Sequence, residues 1–178
     1  MADPQPWRYP RPAPTLNEIQ AKTPTPRLLA WLWAWWPALF WAGVIFWMST
    51  DTFSAQHTAW FLEPLLRWLL PGRTQPRYDA MHYIIRKCAH FTEYFVFFLL
   101  LYRAVRGKRT GWRWSWGFEA LFFAAGYSAL DEIHQAFVAS RTASAYDSLL
   151  DSSGAFVAFV ALWLWFRLRR NSDECVPV

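Results

Sequence analysis

The chain has 178 residues, of which 54% are hydrophobic and 20% aromatic, including 14 Trp. That length is sufficient for one domain. The net charge of +5 comes from basic residues beside apolar runs, a pattern typical of membrane topology signals, so we expect no nucleic-acid partner. The two cysteines, Cys88 and Cys175, have no disulfide or metal-ligand spacing.

Residues 1–27 are predicted to form a disordered, cytoplasmic tail, because closely spaced prolines exclude a long helix. The prolines are Pro4, Pro6, Pro10, Pro12, Pro14, Pro24 and Pro26. No small-residue cleavage site follows the first apolar run, so we expect that run to remain as an anchor. Residues 28–168 are then predicted to form a four-helix membrane domain, and residues 169–178 a second cytoplasmic tail.

Four apolar runs are long enough to cross a bilayer as helices, which predicts an all-α, polytopic membrane protein. The runs are Leu28–Thr50, Tyr83–Tyr102, Trp114–Val138 and Tyr146–Phe166. Between the first two runs, Thr58–Leu70 is too short to span and ends at Pro71–Gly72. We expect this segment to be a short helix lying in the membrane interface.

The distribution of Lys and Arg predicts the orientation of these helices. Both tails are basic, and the connection between the second and third runs has five basic residues and no acid: Arg103, Arg106, Lys108, Arg109 and Arg113. The positive-inside rule places this connection and both termini in the cytoplasm. We therefore expect a multi-pass protein of the plasma or inner membrane whose first and third connections face outward.

Ionisable residues interrupt three of the runs at similar depths. If the second helix starts near His82 at the outer surface, His90 lies roughly 12 Å inside the membrane. By the same rise per residue, His134 lies roughly 6 Å and Asp151 roughly 7–8 Å from that surface. The candidate site residues are Arg86, Lys87, His90, Glu93, Tyr94, Asp131, Glu132, His134, Gln135, Arg141, Asp147 and Asp151.

Helical spacing places most of these side chains on facing surfaces. Lys87, His90 and Tyr94 share one face of the second helix. Glu132 lies about 100° from Asp131, which points it in another direction. On the fourth helix, Gly154 and Ala158 follow Asp147 and Asp151 along one stripe and would allow a close helix neighbour.

The energetic cost of ionisable groups inside a membrane predicts that they face each other or a wet cleft. Within the candidate set, three Lys and Arg residues oppose five Asp and Glu residues, which leaves a formal charge of −2. Protonation, a bound cation, a metal or a cationic ligand group would each complete such a cluster.

The ordered motifs Arg86–Tyr94, Asp131–Gln135, Arg141, Asp147 and Gly154 resemble the VanZ-like family, over about Phe40 to Phe166. The resemblance implies an integral membrane protein with a role in the cell envelope. The best-known member of that family lowers sensitivity to the glycopeptide teicoplanin. The resemblance implies no particular reaction.

Three classes of function remain open. The first is binding or remodelling of an envelope lipid or lipid-linked precursor, whose phosphate would meet Arg86, Lys87 and Arg141. The second is an enzyme that acts on such a lipid, either through a metal held by His90, Glu93, Asp131 and His134 or by acid–base chemistry. The third is a structural protein.

If the protein is purely structural, several of these residues would have only packing or capping roles. An ion pair of Lys87 with Glu93 or Asp131 would fix helix packing, and Asp147 would act only as a helix N-cap. Tyr94 and Tyr127 are interpreted as packing residues. The sequence indicates no particular cofactor and no particular oligomeric state.

Overall fold

The computed structural model describes residues 27–50, 55–137 and 144–173, and within these ranges the protein contains five α-helices and no strand. The helices are α1 (Arg27–Ser49), α2 (Ala55–Leu69), α3 (Gln75–Arg106), α4 (Trp114–Gln135) and α5 (Ala145–Asp173). The prediction of an all-α fold is therefore confirmed. Residues 1–26 of the predicted tail, the end of the third apolar run and Arg141 lie outside the described residues.

Two helices extend beyond the apolar runs that indicated them. α3 begins at Gln75, ahead of the predicted start near His82, with Pro76 in its first turn, where the fixed φ of proline suits a helix start. The helix is followed by Gly107, whose φ of 59° is accessible to glycine at little cost. α5 continues to Asp173, so part of the predicted C-terminal tail is helical. Hydropathy does not detect these ends because they are polar.

Two helical segments, Leu28–Ser49 in α1 and Tyr146–Arg170 in α5, are long and apolar enough to cross a bilayer by length and composition. Two candidate spans are fewer than the four expected from the sequence. α3 interrupts its apolar run with Arg86, Lys87 and Glu93.

The two apolar helices direct most of their side chains away from the rest of the protein. Only 11% of the apolar window in α1 and 28% of that in α5 is buried. α4 likewise exposes large apolar side chains, among them Phe118, Phe122 and Leu130. Water-soluble monomers rarely expose contiguous apolar surface of this extent, so the surface is compatible with a membrane protein.

α3 is the centre of the helix packing and contacts each of the other four helices. It passes close to α5 at Gly154, where an added Cβ atom would overlap the Phe91 carbonyl oxygen. The sequence prediction of a close neighbour at Gly154 is therefore confirmed. The apolar core extends from this crossing and includes Tyr94, Phe97, Phe98, Ala120, Ala124, Ala155, Ala158 and Phe159.

α2 is a short amphipathic helix that, in the described part of the chain, packs against α3 alone. It ends before the predicted turn at Pro71–Gly72, where Gly72 has a φ of +76° that favours glycine. Trp60 and Trp68 project from it and are 84% and 77% exposed. This shape fits the predicted interfacial helix and places α2 over one end of α3.

Candidate functional site

Polar side chains from α3, α4 and α5 meet at one end of the helix bundle. At their centre, His90 Nδ1 of α3 lies 3.5 Å from Asp151 Oδ1 of α5. This distance is at the outer limit for a hydrogen bond, and the two atoms do not meet hydrogen-bond geometry. Asp151 is only 1% exposed. The two residues are thus held together by the close packing of α3 on α5.

Asp131 and Tyr94 extend this centre toward α4. Asp131 Oδ2 accepts a hydrogen bond of 2.9 Å from Gln135 Nε2, one turn along the same helix. The fully buried Tyr94 hydroxyl lies beside Ser128, Asp131 and Asp151, without a well-formed hydrogen bond within the described ranges. Its ring packs edge-on against Phe97, as the packing interpretation of Tyr94 predicted.

Lys87 forms an ion pair with Asp147, which joins α3 to the first turn of α5. Both side chains are about one-quarter exposed, at 23% and 26%. The structure therefore gives Lys87 a different partner from Glu93 or Asp131, the two that the sequence suggested. Because Asp147 lies inside α5 and pairs with Lys87, it is not simply a helix N-cap.

Glu132 of α4 caps the start of α5 through its side chain. Its Oε2 atom accepts a hydrogen bond of 2.7 Å from the backbone N–H of Ser144, immediately before the helix begins. A carboxylate at a helix N-terminus satisfies an otherwise unpaired donor and complements the helix dipole. Glu132 thus points away from the cavity-facing side chains, as its position 100° from Asp131 predicted.

A cavity of about 360 Å³ lies between α1, α2, α3 and α4, and we call it the α2 cavity. Most of its wall surface is apolar, and six of its twelve lining residues are apolar, including Ile45 of α1 and Leu62 of α2. The other six lining residues are polar or charged: Ser49, Thr58, Arg86, His90, Glu93 and Asp131. The cavity therefore gathers four of the candidate site residues under the amphipathic helix.

Arg86 is oriented at the cavity wall by α2. Its Nη1 atom donates a hydrogen bond of 3.0 Å to Thr58 Oγ1. The same hydroxyl lies 3.2 Å from His82 Nε2, and burial, with the nearby Arg86 charge, lowers the pKa of His82. A neutral His82 leaves the guanidinium as the permanent positive charge on this wall.

Ser49, at the end of α1, is a site residue that sequence analysis did not identify. It is 2% exposed, and its Oγ atom forms no well-formed hydrogen bond in the described part of the chain, although the Asp131 carboxyl lies beside it. Thr58 and Ser128 were missed for the same reason. A single Ser or Thr in an apolar run has no spacing that distinguishes a cavity residue from a packing residue.

Other candidates lie away from the cavity wall. The His134 ring packs on Phe46 of α1, with ring centroids 4.6 Å apart. The Tyr127 hydroxyl donates a hydrogen bond of 2.7 Å to the Ala42 carbonyl, which agrees with a packing role. Arg141 lies in the segment between α4 and α5 that the structure does not describe.

The described residues do not form the four-ligand metal arrangement that the sequence left open. Across residues 27–50, 55–137 and 144–173, no group of three or more His, Cys, Asp and Glu side chains is placed to hold a metal ion. The reason is rotation about the helix axes. His90 faces Asp151, whereas His134 faces Phe46, so the two imidazoles do not converge.

A wider groove, of about 740 Å³, lies at the opposite end of the bundle. Its walls include Trp112, Trp163 and Arg167, and it contains none of the candidate site residues. It belongs to the basic, Trp-rich end of the molecule. We therefore take the smaller α2 cavity, which contacts the polar cluster, as the candidate site.

Comparison with known families identifies the chain. A family model described as VanZ/LLP1 matches residues 34–167, well over half of the sequence. The protein belongs to the VanZ/LLP1 family. The resemblance noted from the sequence motifs is thereby confirmed. Searches of curated proteins and of solved structures give no match.

The VanZ/LLP1 match begins within α1 and ends within α5, so it includes all the helices that build the α2 cavity. The polar cluster is therefore part of the VanZ/LLP1 domain rather than of an appended segment. The proline-rich residues 1–27 precede the match. Family membership and two helices of spanning length together are compatible with a membrane protein.

Proposed function

We propose that this VanZ/LLP1 protein crosses the membrane four times and binds the phosphorylated headgroup of an envelope lipid or lipid-linked precursor in the α2 cavity. In this proposal both termini are cytoplasmic and the cavity opens toward the outer side of the cell membrane. Binding there would alter the sensitivity of the cell to glycopeptide antibiotics. The observation that carries the proposal is a largely apolar cavity, beneath an amphipathic helix, with charged side chains of α3 and α4 in its wall.

The packing supports four spans. α3 and α4 contact both apolar helices, α1 and α5, and so would lie at the same depth in a bilayer. α4 also exposes Phe118 and Phe122, one turn apart, on its outer surface. Ionisable groups of α3 are directed inward, where Lys87 meets Asp147 and His90 meets Asp151. Inward pairing is how membrane helices tolerate such groups.

The cavity chemistry supports binding of a phosphate. An Arg guanidinium forms charge-assisted, often bidentate hydrogen bonds to phosphate oxygens. Thr58 holds the Arg86 side chain against the cavity wall, so little conformational entropy would be lost on binding. The exposed Trp60 and Trp68 of α2 would anchor that helix at the headgroup level, with the acyl chains of the ligand remaining in the bilayer.

Native mass spectrometry of the full-length protein, extracted gently from its own membrane, tests this proposal. We expect the wild-type protein to retain a phospholipid or a lipid-linked precursor, and Arg86→Gln to lose it. Arg77→Gln is the matched control, because Arg77 is an exposed residue of the same helix outside the cavity. A wild-type protein without bound lipid, or equal retention by both variants, would contradict the proposal.

The contact of His90 with Asp151 favours an acid–base enzyme as a second candidate. The Nδ1 edge of the ring faces Asp151, and the ring itself lines the cavity. The opposite nitrogen, Nε2, would then be the one to exchange a proton with a bound headgroup. Incubation with headgroup-labelled lipids would release a labelled product only if the protein is an enzyme, and His90→Gln should abolish that release while lipid is still retained.

A further inference from the structure

The groove of about 740 Å³ at the end of the bundle away from the α2 cavity lies where α4 begins and α5 ends. We call it the Trp–Arg groove. Three tryptophans and three arginines line it: Trp112, Trp114, Trp163, Arg167, Arg169 and Arg170. Among the described residues that line this groove, none is acidic. The wall of the α2 cavity has side chains of both signs, so the two openings differ in the ligand charge that each favours.

The aromatic wall of the Trp–Arg groove is held in place by α3. The Trp112 ring stacks on the buried ring of Tyr102, with centroids 5.1 Å apart and an interplanar angle of 16°. The Tyr102 hydroxyl donates a hydrogen bond of 3.1 Å to the carbonyl of Gly111, whose φ of 79° costs glycine little. The ring centroids of Trp114 and Trp163 lie 5.6 Å apart across α4 and α5. Because these contacts are already made, little of the wall has to become ordered when a ligand binds.

Two of the arginines are oriented by tryptophan rings of α5. The Cζ atom of Arg167 lies 5.5 Å from the ring centroid of Trp163. That of Arg169 lies 4.2 Å from the ring centroid of Trp165. Stacking uses the face of a guanidinium, whereas the N–H donors that fit a phosphate lie at its edge. The stacked arginines can therefore donate to a phosphate without leaving their aromatic partners.

The chain around the groove has an excess of positive charge. Residues 103–119 and 167–174, which include the connection to α4 and the arginines of α5, contain eight basic and three acidic residues, a formal charge of +5. An anionic ligand is attracted by this excess. The ammonium group of a choline or ethanolamine headgroup would meet arginines on the groove wall and be repelled.

An exposed aromatic stripe on α4 continues from the groove. Trp114, Phe118 and Phe122 follow one another at intervals of one turn, and all three are exposed. The first two rings stack, with centroids 5.9 Å apart. Acyl chains would cover this stripe when the phosphate of the same lipid is at the arginines, whereas a water-soluble phosphate compound would leave it bare. In the orientation proposed above, this end faces the cytoplasm, and the cytoplasmic leaflet carries anionic lipids.

We infer that the Trp–Arg groove binds an anionic phospholipid of the phosphatidylglycerol class. Its phosphate lies on Arg167 and Arg169, and its acyl chains follow the stripe from Trp114 to Phe122. This site is separate from the α2 cavity and does not depend on the headgroup binding proposed there.

The test is lipid binding to the full-length, delipidated protein in detergent, measured by native mass spectrometry. The probes are phosphatidylglycerol and phosphatidylcholine with identical acyl chains, titrated separately. We expect phosphatidylglycerol to bind at least about fivefold more tightly, since one Arg beside an anionic lipid contributes about that factor. Equal affinity for the two lipids, or tighter binding of phosphatidylcholine, would overturn the inference.

A double variant connects this preference with the groove. Arg167→Gln combined with Arg169→Gln should abolish the preference for phosphatidylglycerol and leave the unfolding temperature nearly unchanged, because both side chains are exposed. Lys108→Gln combined with Arg113→Gln is the matched control. It removes the same charge from the same end of the molecule, at two exposed residues outside the groove. A preference that persists in the first double variant, or that falls equally in both, would overturn the inference.

Arg86→Gln separates this site from the α2 cavity. The preference for phosphatidylglycerol should persist in Arg86→Gln, whether or not the α2 cavity binds a headgroup. If the preference is lost in Arg86→Gln and kept in the groove variant, the anionic lipid lies in the α2 cavity, and the inference fails while the proposed function stands.

A soluble competitor distinguishes a lipid from a free phosphate compound. Glycerophosphoglycerol has the same headgroup without acyl chains. It should displace phosphatidylglycerol only at a large excess, because it cannot cover the aromatic stripe of α4. Displacement at equimolar concentration would overturn the assignment to a lipid.

Discussion

Replacement of Gly154 with alanine is expected to force α3 away from α5 at the candidate site. The added Cβ would overlap the Phe91 carbonyl oxygen and lie 3.1 Å from its carbonyl carbon. Both are backbone atoms, so only separation of the two helices can relieve the overlap. Overpacking of this kind costs about 3 kcal/mol at the upper end of its usual range, offset by about 1 kcal/mol of better helix propensity. We expect a net destabilisation of about 2 kcal/mol.

Gly126→Ala is the matched control, because a Cβ at Gly126 of α4 would meet no atom within 4 Å. It should gain the helix-propensity term of about 1 kcal/mol. Thermal unfolding in detergent, followed by Trp fluorescence, should therefore shift in opposite directions. The Tm should fall by about 4–8 °C for Gly154→Ala and rise by about 2–4 °C for Gly126→Ala. A Tm for Gly154→Ala equal to or above that of Gly126→Ala would refute the close helix crossing.

Three further predictions follow from specific contacts. Lys87→Met should destabilise the protein by about 1–3 kcal/mol, between the values for exposed and buried ion pairs, and addition of Asp147→Asn should restore part of the loss. Simple additivity in this double-mutant cycle would mean that the pair contributes nothing. In a cysteine-free background, a cysteine near Lys108 should react with an impermeant probe only after the inner face is opened, and one near Gln75 should react from outside. The reverse pattern would overturn the orientation. Tyr127→Phe should lower stability by about 1 kcal/mol, through loss of a hydrogen bond to α1, and an unchanged Tm would argue against that contact.

Much of the fold follows from sequence because apolar runs and turn residues act locally. Each predicted run corresponds to a helix, and the interfacial segment ends before Pro71–Gly72 as expected. The crossing at Gly154 was also predictable, since a glycine on a polar stripe of a membrane helix favours close approach. The full length of α3 could not be predicted, because Gln75 and its neighbours are polar and give no hydropathy signal.

The contacts of the site were less predictable, because they depend on how each helix is rotated against its neighbours. Spacing placed Lys87 and His90 on one face of α3, but it could not decide which carboxylate each would meet. In the structure, Lys87 forms an ion pair with Asp147, and His90 lies beside Asp151. The contribution of α1 to the cavity, through Ser49, depends on the tilt of that helix over α3. No periodicity in the sequence encodes this tilt.

Occupation of the α2 cavity by a phospholipid headgroup is the central claim, and site-specific photocrosslinking in intact cells tests it directly. A photoreactive amino acid at Leu62 would lie in the cavity wall. One at Phe122, which is 75% exposed on α4, would face the surrounding lipid. After irradiation, the purified protein is examined by mass spectrometry for a covalently attached phospholipid. We predict an adduct at both positions, with the Leu62 adduct lost in Arg86→Gln and the Phe122 adduct unchanged. A Leu62 adduct that is absent, or that persists without Arg86, would contradict the claim.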